Sequence, residues 1–242
     1  MNTVVTPYKN SESGKKEQVA QMFNAIAPRY DFLNNLLSLG IHVLWRRKAI
    51  RLLKNNSPKK ILDIATGTAD FAIEAMKLHP EKVIGIDISE SMLKIGKEKI
   101  LKKKLSSIIE LQTGDSENLT FADNSFDAIT VGFGVRNFEN LEKGLGEIHR
   151  VLANDGMLVI LEFSKPTSFP VKQLYEFYFL KICPLLGKYF SKDKAAYNYL
   201  PESVNAFPAG NDFLKIMQKT GFKNTLCYPL SKGIASIYVG KK

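Results

Sequence analysis

Four short stretches of the chain carry side chains suited to chemistry. The first is Ile61-Leu62-Asp63-Ile64-Ala65-Thr66-Gly67-Thr68-Ala69-Asp70, an apolar run with β-branched residues that breaks at a single glycine. That composition predicts a buried strand turning tightly into a helix, with Gly67 letting the backbone approach a ligand. The second, Val83-Ile84-Gly85-Ile86-Asp87, ends on a carboxylate 20 residues past Gly67. The third is the polar turn Gly114-Asp115-Ser116-Glu117-Asn118, and the fourth is Gly132-Phe133-Gly134-Val135-Arg136-Asn137.

In a doubly wound sheet, a glycine turn and an acid about 20 residues later meet at the carboxyl edge of the strands, where a ribose is commonly held. A dinucleotide site would carry further spaced glycines to enclose its phosphates. Here Thr66, Thr68 and Ala69 surround one glycine, and Asp63 and Asp70 add negative charge that repels phosphate. The turn suits a ligand with a nucleoside at one end and a cationic, amino-acid-bearing group at the other, which describes S-adenosylmethionine. Asp115 can accept from an adenine amine, with the Ser116 backbone at the ring edge. Each residue also has an ordinary reading: Gly67 as a plain turn, Asp87 as a helix cap, Asp115 bonded to its own backbone, Arg136 as a salt partner for a neighbouring helix. Their joint spacing favours a site.

The elements that must position these residues follow from periodicity and turn residues. Strands are expected over 59–64, 82–87, 108–113, 126–131 and 157–163, the last preceded by an Asn154-Asp155-Gly156 turn, with a terminal hairpin over 222–229 and 234–240. Ser89 can cap a helix over 91–104, in which Leu93, Ile100 and Leu101 pack while six lysines stay wet. Further helices are expected over 141–152 and 212–220. Ahead of the sheet, residues 1–16 read as a flexible tail and 17–56 as helices that pack or form a lid. Within them Leu44, Trp45, Leu52 and Leu53 are expected to face the core and Arg46, Arg47 and Lys48 the water. Residues 164–210 form an aromatic-rich insertion, too interrupted to span a bilayer but suited to an interface or a greasy substrate. The fold class is therefore α/β, with residues 17–242 as one domain.

A formal charge of +10 invites a nucleic-acid or anionic-membrane partner, but the lysines are spread along helices and form no basic block. Cys183 and Cys227 stand far apart without metal-ligand spacing, so no metal site is expected. With no signal-like apolar core near the start, a cytoplasmic location is expected, with peripheral contact at the inner face of the membrane as a further option.

Taken together these blocks resemble the C-methyltransferases of menaquinone and ubiquinone biosynthesis. The likeness runs through Tyr30-Asp31, Trp45-Arg46, the Gly67 turn, Asp87, Asp115-Ser116, Phe133-Gly134-Val135-Arg136-Asn137 and Leu161-Glu162-Phe163-Ser164-Lys165-Pro166. It implies a class I methyltransferase fold, a Rossmann-like seven-stranded sheet with an antiparallel C-terminal hairpin. It also implies S-adenosylmethionine as cofactor, held by Thr68, Asp87, Asp115 and Ser116 with Gly67 beside its amino-acid end; Asp63, in the same block, is expected to contact the cofactor as well. The implied substrate is a polyprenylated demethylquinol, first demethylmenaquinol and second a benzoquinol intermediate of ubiquinone synthesis. Loss of a hydroquinone proton would activate the ring carbon, with Arg136 steadying the phenolate or orienting a water and Tyr30 enclosing the ring. Competing readings are an RNA-base or other small-molecule methyltransferase, a nicotinamide-dependent oxidoreductase, and a membrane-peripheral scaffold without turnover; no nucleic-acid partner is expected.

Overall fold

The computed structural model describes residues 5–178, 182 and 194–242. Strands β1 (Lys60–Ile64), β2 (Lys82–Asp87), β3 (Ile109–Thr113), β4 (Phe126–Gly132), β5 (Leu152–Phe163), β6 (Lys223–Leu230) and β7 (Ala235–Lys241) form one sheet in the order β3-β2-β1-β4-β5-β7-β6. β1 to β5 run parallel, and β7 lies antiparallel between β5 and β6. The order reverses between β1 and β4, so the crevice for a ligand opens beyond Ile64 and Val131, which are paired across these strands.

Because strand side chains alternate faces, each central strand feeds two cores. Ile61, Ala128, Val159 and Leu161 join one, packed with Trp45, Ala49, Ile50 and Leu53 of α3 (Ile41–Leu52) and the turn after it, and with Phe71 and Ala72 of α4 (Asp70–Ala75). Leu62, Ile129, Leu158 and Ile160 join the other, packed with α6 (Leu141–Val151) and the helix Asn211–Lys219. A third, smaller cluster stands apart: Val19 and Met22 of α1 (Lys15–Ile26), Leu33 of α2 (Tyr30–Ser38), and Ala196 and Tyr199 of the helix Lys194–Ala206.

Several local expectations change. The segment read as a tail packs: Pro7 is buried, Val5 and Tyr8 lie on the third cluster, and the Tyr8 N–H donates to Gln18 Oε1 at 2.9 Å. α5 (Glu90–Lys102) is capped by Ser89 as expected, but Leu101 is 70% exposed. Leu44 is likewise exposed, whereas Arg46, expected in water, turns inward to an ion pair with Asp70. Both errors come from assigning a helix face one position off, where neighbouring apolar residues made the stripe ambiguous. The turn at 154–156 is absorbed into the long β5, whose register against β4 shifts between Phe126 and Ala128. Of the aromatic insertion, α7 (Val171–Phe177) is described; residues 179–181 and 183–193, with Phe179 and Cys183, lie outside the described residues. Among the described residues no helix is long and apolar enough to cross a membrane.

Candidate active site

The crevice divides into two chambers that share Phe23, Tyr30, Ala65, Gly67, Gly132 and Phe133 as a partition. The inner, of about 70 Å³, is bordered by Asp87, Ile88, Met92, Asp115 and Ser116. The outer, of about 460 Å³, lies under α2, α3 and α7 and is mostly aliphatic and aromatic.

The turn after β1 passes through positive φ at Ala65 (+53°), Gly67 (+54°) and Ala69 (+67°). A side chain at Gly67 would meet nothing within 4 Å, so this backbone faces the open cleft. Its N–H donates to Asp87 Oδ2 at 2.8 Å, and the Ser89 N–H donates to Oδ1 at 2.8 Å. With the Ile88 N–H as a third backbone donor, the carboxylate keeps one lone pair for a further donor, such as a ribose hydroxyl. Burial pushes the Asp87 carboxyl above its ordinary range, against hydrogen bonds from the Ser89, Gly67 and Ile88 N–H groups.

Asp63 does not reach the site. It is fully buried and lines neither chamber. Its oxygens accept from Thr66 Oγ1 at 2.5 Å and Thr130 Oγ1 at 2.7 Å, which pins the turn to β4. Burial pushes its pKa up to about 6 despite these bonds. The expectation that Asp63 touches the cofactor is thus corrected: it shapes the loop that would.

Thr68 lines the outer chamber, but its hydroxyl is engaged. It donates to Asp31 Oδ1 at 2.6 Å and accepts from Lys99 Nζ at 3.1 Å. Lys99 also pairs with Asp31 and Asp70, and Arg46 Nη2 completes the chain on Asp70 Oδ2 at 3.0 Å. Burial alone would raise the Asp70 carboxyl, but Arg46 and Lys99 together hold it below its ordinary range. α2, α3, α4 and α5 are therefore tied at the cleft by alternating charges, and Lys99 is not one of the wet lysines.

Asp115 and Ser116 border the inner chamber as expected, yet Asp115 is occupied: Lys16 Nζ donates to its Oδ2 at 2.6 Å and the Glu117 N–H to Oδ1 at 2.9 Å. Glu117 in turn accepts from the N–H groups of Glu139 and Asn140, joining this turn to the fourth stretch.

Arg136 sits at the outer chamber with its side chain 7% exposed. Its Nη1 donates to Glu162 Oε1 at 2.9 Å and to the Phe133 carbonyl, its Nε donates to Ser203 Oγ at 3.3 Å, and its guanidinium stands 5.6 Å from the Phe163 ring centre. Nη2 has no protein partner among the described residues. The salt partner is an acid at the end of β5 and not a helix residue. Glu162 was a missed functional residue with a visible signal: a lone carboxylate closing the otherwise apolar run Met157 to Phe163. Phe133 and Phe163 stack with ring centres 4.5 Å apart, and Trp45 packs within 6.4 Å of both. Gly132 and Gly134 let the loop after β4 lie close against its neighbours, since a Cβ would lie 2.5 Å from Phe71 Cδ2 or 2.4 Å from Ala65 Cβ. Tyr30, half-buried on the partition, is hydrogen-bonded through its side chain to Asn34, and burial raises its hydroxyl pKa.

The ubiE/COQ5 methyltransferase family model matches residues 11–242. The chain belongs to that family. It is 50% identical over 239 residues to a demethylmenaquinone methyltransferase of Bacteroides fragilis, covering 98% of this chain and 97% of that one. It is 46% identical to a ubiquinone/menaquinone biosynthesis C-methyltransferase UbiE of Geotalea uraniireducens, covering 97% of this chain and all of that one. Among solved structures, a SAM-dependent methyltransferase from Thermotoga maritima superposes with a TM-score of 0.60 at 20% identity, covering 92% of this chain and 99% of that chain. Family and fold together make this chain an S-adenosylmethionine-dependent methyltransferase. Its inner chamber fits such a donor in chemistry, through the open Asp87 lone pair and the exposed Gly67 backbone. In size it is well below the roughly 300–1,000 Å³ of typical ligand pockets, and Lys16 stands on its rim.

Proposed function

We propose that the chain methylates a ring carbon of polyprenylated demethylmenaquinol. The outer chamber carries this reading: about 460 Å³ of apolar space, floored by Phe133, Phe163 and Trp45, with one buried guanidinium at its base. Aromatic rings accept a flat bicyclic ring, and the remaining aliphatic wall accepts an isoprenoid chain. The relatives' names span both menaquinone and ubiquinone synthesis, so a benzoquinol is the second acceptor to test.

Asp87 would hold a ribose hydroxyl, Asp115 and the Ser116 backbone the adenine, and Gly67 and Thr68 the amino-acid end. When bound, the sulfonium supplies an electrophilic methyl group. A quinol carbon becomes nucleophilic enough once its hydroxyl loses a proton. Arg136 Nη2, without a partner among the described residues, would donate to the resulting oxyanion, and Glu162 fixes the guanidinium so that this donor needs no rearrangement. Arg136 stays protonated and does not serve as the base. Tyr30 and α2 exclude water from above.

Residues 17–56 act as a lid in this reading. A nucleoside enters the inner chamber only if α1 withdraws Lys16 from Asp115. The mouth of the outer chamber is formed by Leu39 (91% exposed), Ile41 and Leu174, with Leu44, Phe169 and Phe177 exposed nearby and Arg47, Lys48 and Arg51 exposed on α3. That greasy rim with basic neighbours suits brief contact with an anionic membrane from which a long-tailed quinol is drawn.

The decisive experiment incubates the purified protein with methyl-labelled S-adenosylmethionine and a panel of prenylated demethylmenaquinol, prenylated benzoquinol and tail-less naphthoquinol in anionic vesicles. Ring-methylated menaquinol is the expected product by mass spectrometry. Replacing Leu39 with Asp should lower turnover of the long-tailed quinol several-fold and leave the tail-less one unchanged; label in neither quinol would overturn the reading.

A further inference from the structure

His42 lies on the first turn of α3, lines the outer chamber and is 6% exposed. Its Nδ1 is hydrogen-bonded to Ser38 Oγ, one turn back at the end of α2. The Ser38 hydroxyl donates its one hydrogen to the Asn34 carbonyl at 2.6 Å, so toward His42 it acts as acceptor. Nδ1 must then carry the ring proton, and Nε2 is left as the basic nitrogen. Nε2 has no partner among the described residues. Second-atom orientation of this kind is what fixes a general base in one tautomer.

We propose, resting on the quinol reading above, that His42 Nε2 accepts the proton of the quinol hydroxyl. In this step the O–H bond breaks, the electron pair stays on the ring oxygen, an N–H bond forms at Nε2, and Arg136 Nη2 donates to the oxyanion. Once methylated, the ring carbon gives up its original hydrogen as a proton to solvent, its C–H electron pair restoring the aromatic ring and the oxyanion, and the oxyanion then takes the proton back from the imidazolium, so the base is regenerated each turnover with one proton released. The division of labour is chemically sensible: an arginine cannot take the proton, and a buried neutral imidazole can. Burial holds His42 below the ordinary histidine range, and Arg46 acts in the same direction against Asp70 and Asp31, so the ring is neutral at physiological pH. Those are the charged groups about it: Arg46 on α3, Asp70 on α4 and Asp31 on α2.

The test uses a nitronaphthol whose absorbance distinguishes naphthol from naphtholate, bound to the full chain without any methyl donor. Wild type should hold about tenfold more of the bound probe as naphtholate than His42→Asn does at the same pH, a modest part of the range open to a positioned base. Asparagine keeps a donor to Ser38, so a purely structural role would be rescued. In turnover, His42→Asn should lower kcat about 10²-fold with little change in KM and lose the rise of kcat with pH. Nitrogen NMR of the wild-type histidine should show protonated Nδ1 and bare Nε2. Equal naphtholate fractions in the two proteins, or a proton on Nε2, would overturn the assignment of the base. A probe that fails to bind wild type would overturn the quinol reading and the proposal with it.

Discussion

Both chambers touch the strand ends and the helices ahead of the sheet, but the polar groups of the inner one, Asp87, the Gly67 backbone, Asp115 and Ser116, come from the carboxyl edge of the strands, while most of the outer wall comes from helices that lie on both sides of the sheet in sequence. Asp87 and the Gly67 turn are set by the parallel register of β1 and β2 and by Asp63 buried beneath them. Trp45, His42, Leu174 and Tyr199 reach the outer chamber from α3, α7 and the helix Lys194–Ala206, none of which belongs to the regular strand-helix alternation. On the proposed reading, donor recognition rests on the part of the fold that is hardest to alter, and acceptor choice on added helices that can vary without disturbing the sheet.

This separation can be broken most forcefully at Arg136, which belongs to the outer chamber yet is buried. Arg136→Ala should destabilise the protein by about 3–5 kcal/mol, because Glu162 is left charged and unpaired with its carboxylate fully enclosed. Arg136→Met combined with Glu162→Gln should regain most of that stability in denaturant melts without regaining turnover. Restored turnover in the double variant would remove the guanidinium from the chemistry.

Next in size is Asp63. Its folded pKa of about 6 lies above the ordinary 3.8, so its contribution to stability is complete below pH 3.8 and is lost as pH rises through about 6. Asp63→Asn should therefore gain on wild type by about 2–3 kcal/mol between pH 4 and pH 7, read from melts across that range. A gap that stays constant with pH would mean that Asp63 is charged throughout.

Asp87→Ala should weaken S-adenosylhomocysteine binding by about 1–3 kcal/mol in calorimetry while leaving naphthol binding in the outer chamber unchanged. Equal loss of both ligands would show the two chambers to be one energetic unit. The smallest effect belongs to Lys16, whose pair with Asp115 is about one-third exposed on each side. Lys16→Ala should tighten S-adenosylhomocysteine by no more than about 1 kcal/mol, by releasing Asp115 at little cost. Weaker binding would mean that Lys16 holds the ligand and does not compete with it.

The same division decides what could be read from the amino-acid sequence. The strand positions, the Gly67 turn, and the placement of Asp87 and the Asp115-Ser116 turn at the crevice were legible, because local periodicity and short spacings fix a strand end and its turn; the sheet's seven-stranded arrangement came from the family resemblance. Asp63 was misplaced because alternation along β1 sends it to the face opposite Ile64, and a carboxylate in a buried strand was read by its charge and not by its parity. Glu162, Lys99, Asp31 and His42 were missed as site residues because their roles depend on partners 26 to 68 positions away, or on a helix turn seen only once α2 and α3 are folded. Arg46 and Leu44 exchanged their expected environments through a small rotation of α3, which helical periodicity alone does not resolve.

The apolar cluster shared by α1, α2 and the helix Lys194–Ala206 is separate from both cores of the sheet. If these helices act as the proposed lid, a cap with its own oily interior would swing as a body and take its grease along, so that admitting a ligand would wet neither face of the sheet. The fastenings left to undo are largely polar: the ion pairs of Asp31 with Lys99 and Lys16 with Asp115, and hydrogen bonds from Ser89 Oγ and the Ser91 N–H to Asn24 and from Lys15 to the Arg136 and Phe138 carbonyls. Water replaces such ties more readily than it replaces buried hydrocarbon, which puts opening within reach of ordinary thermal motion while the scaffold beneath stays closed.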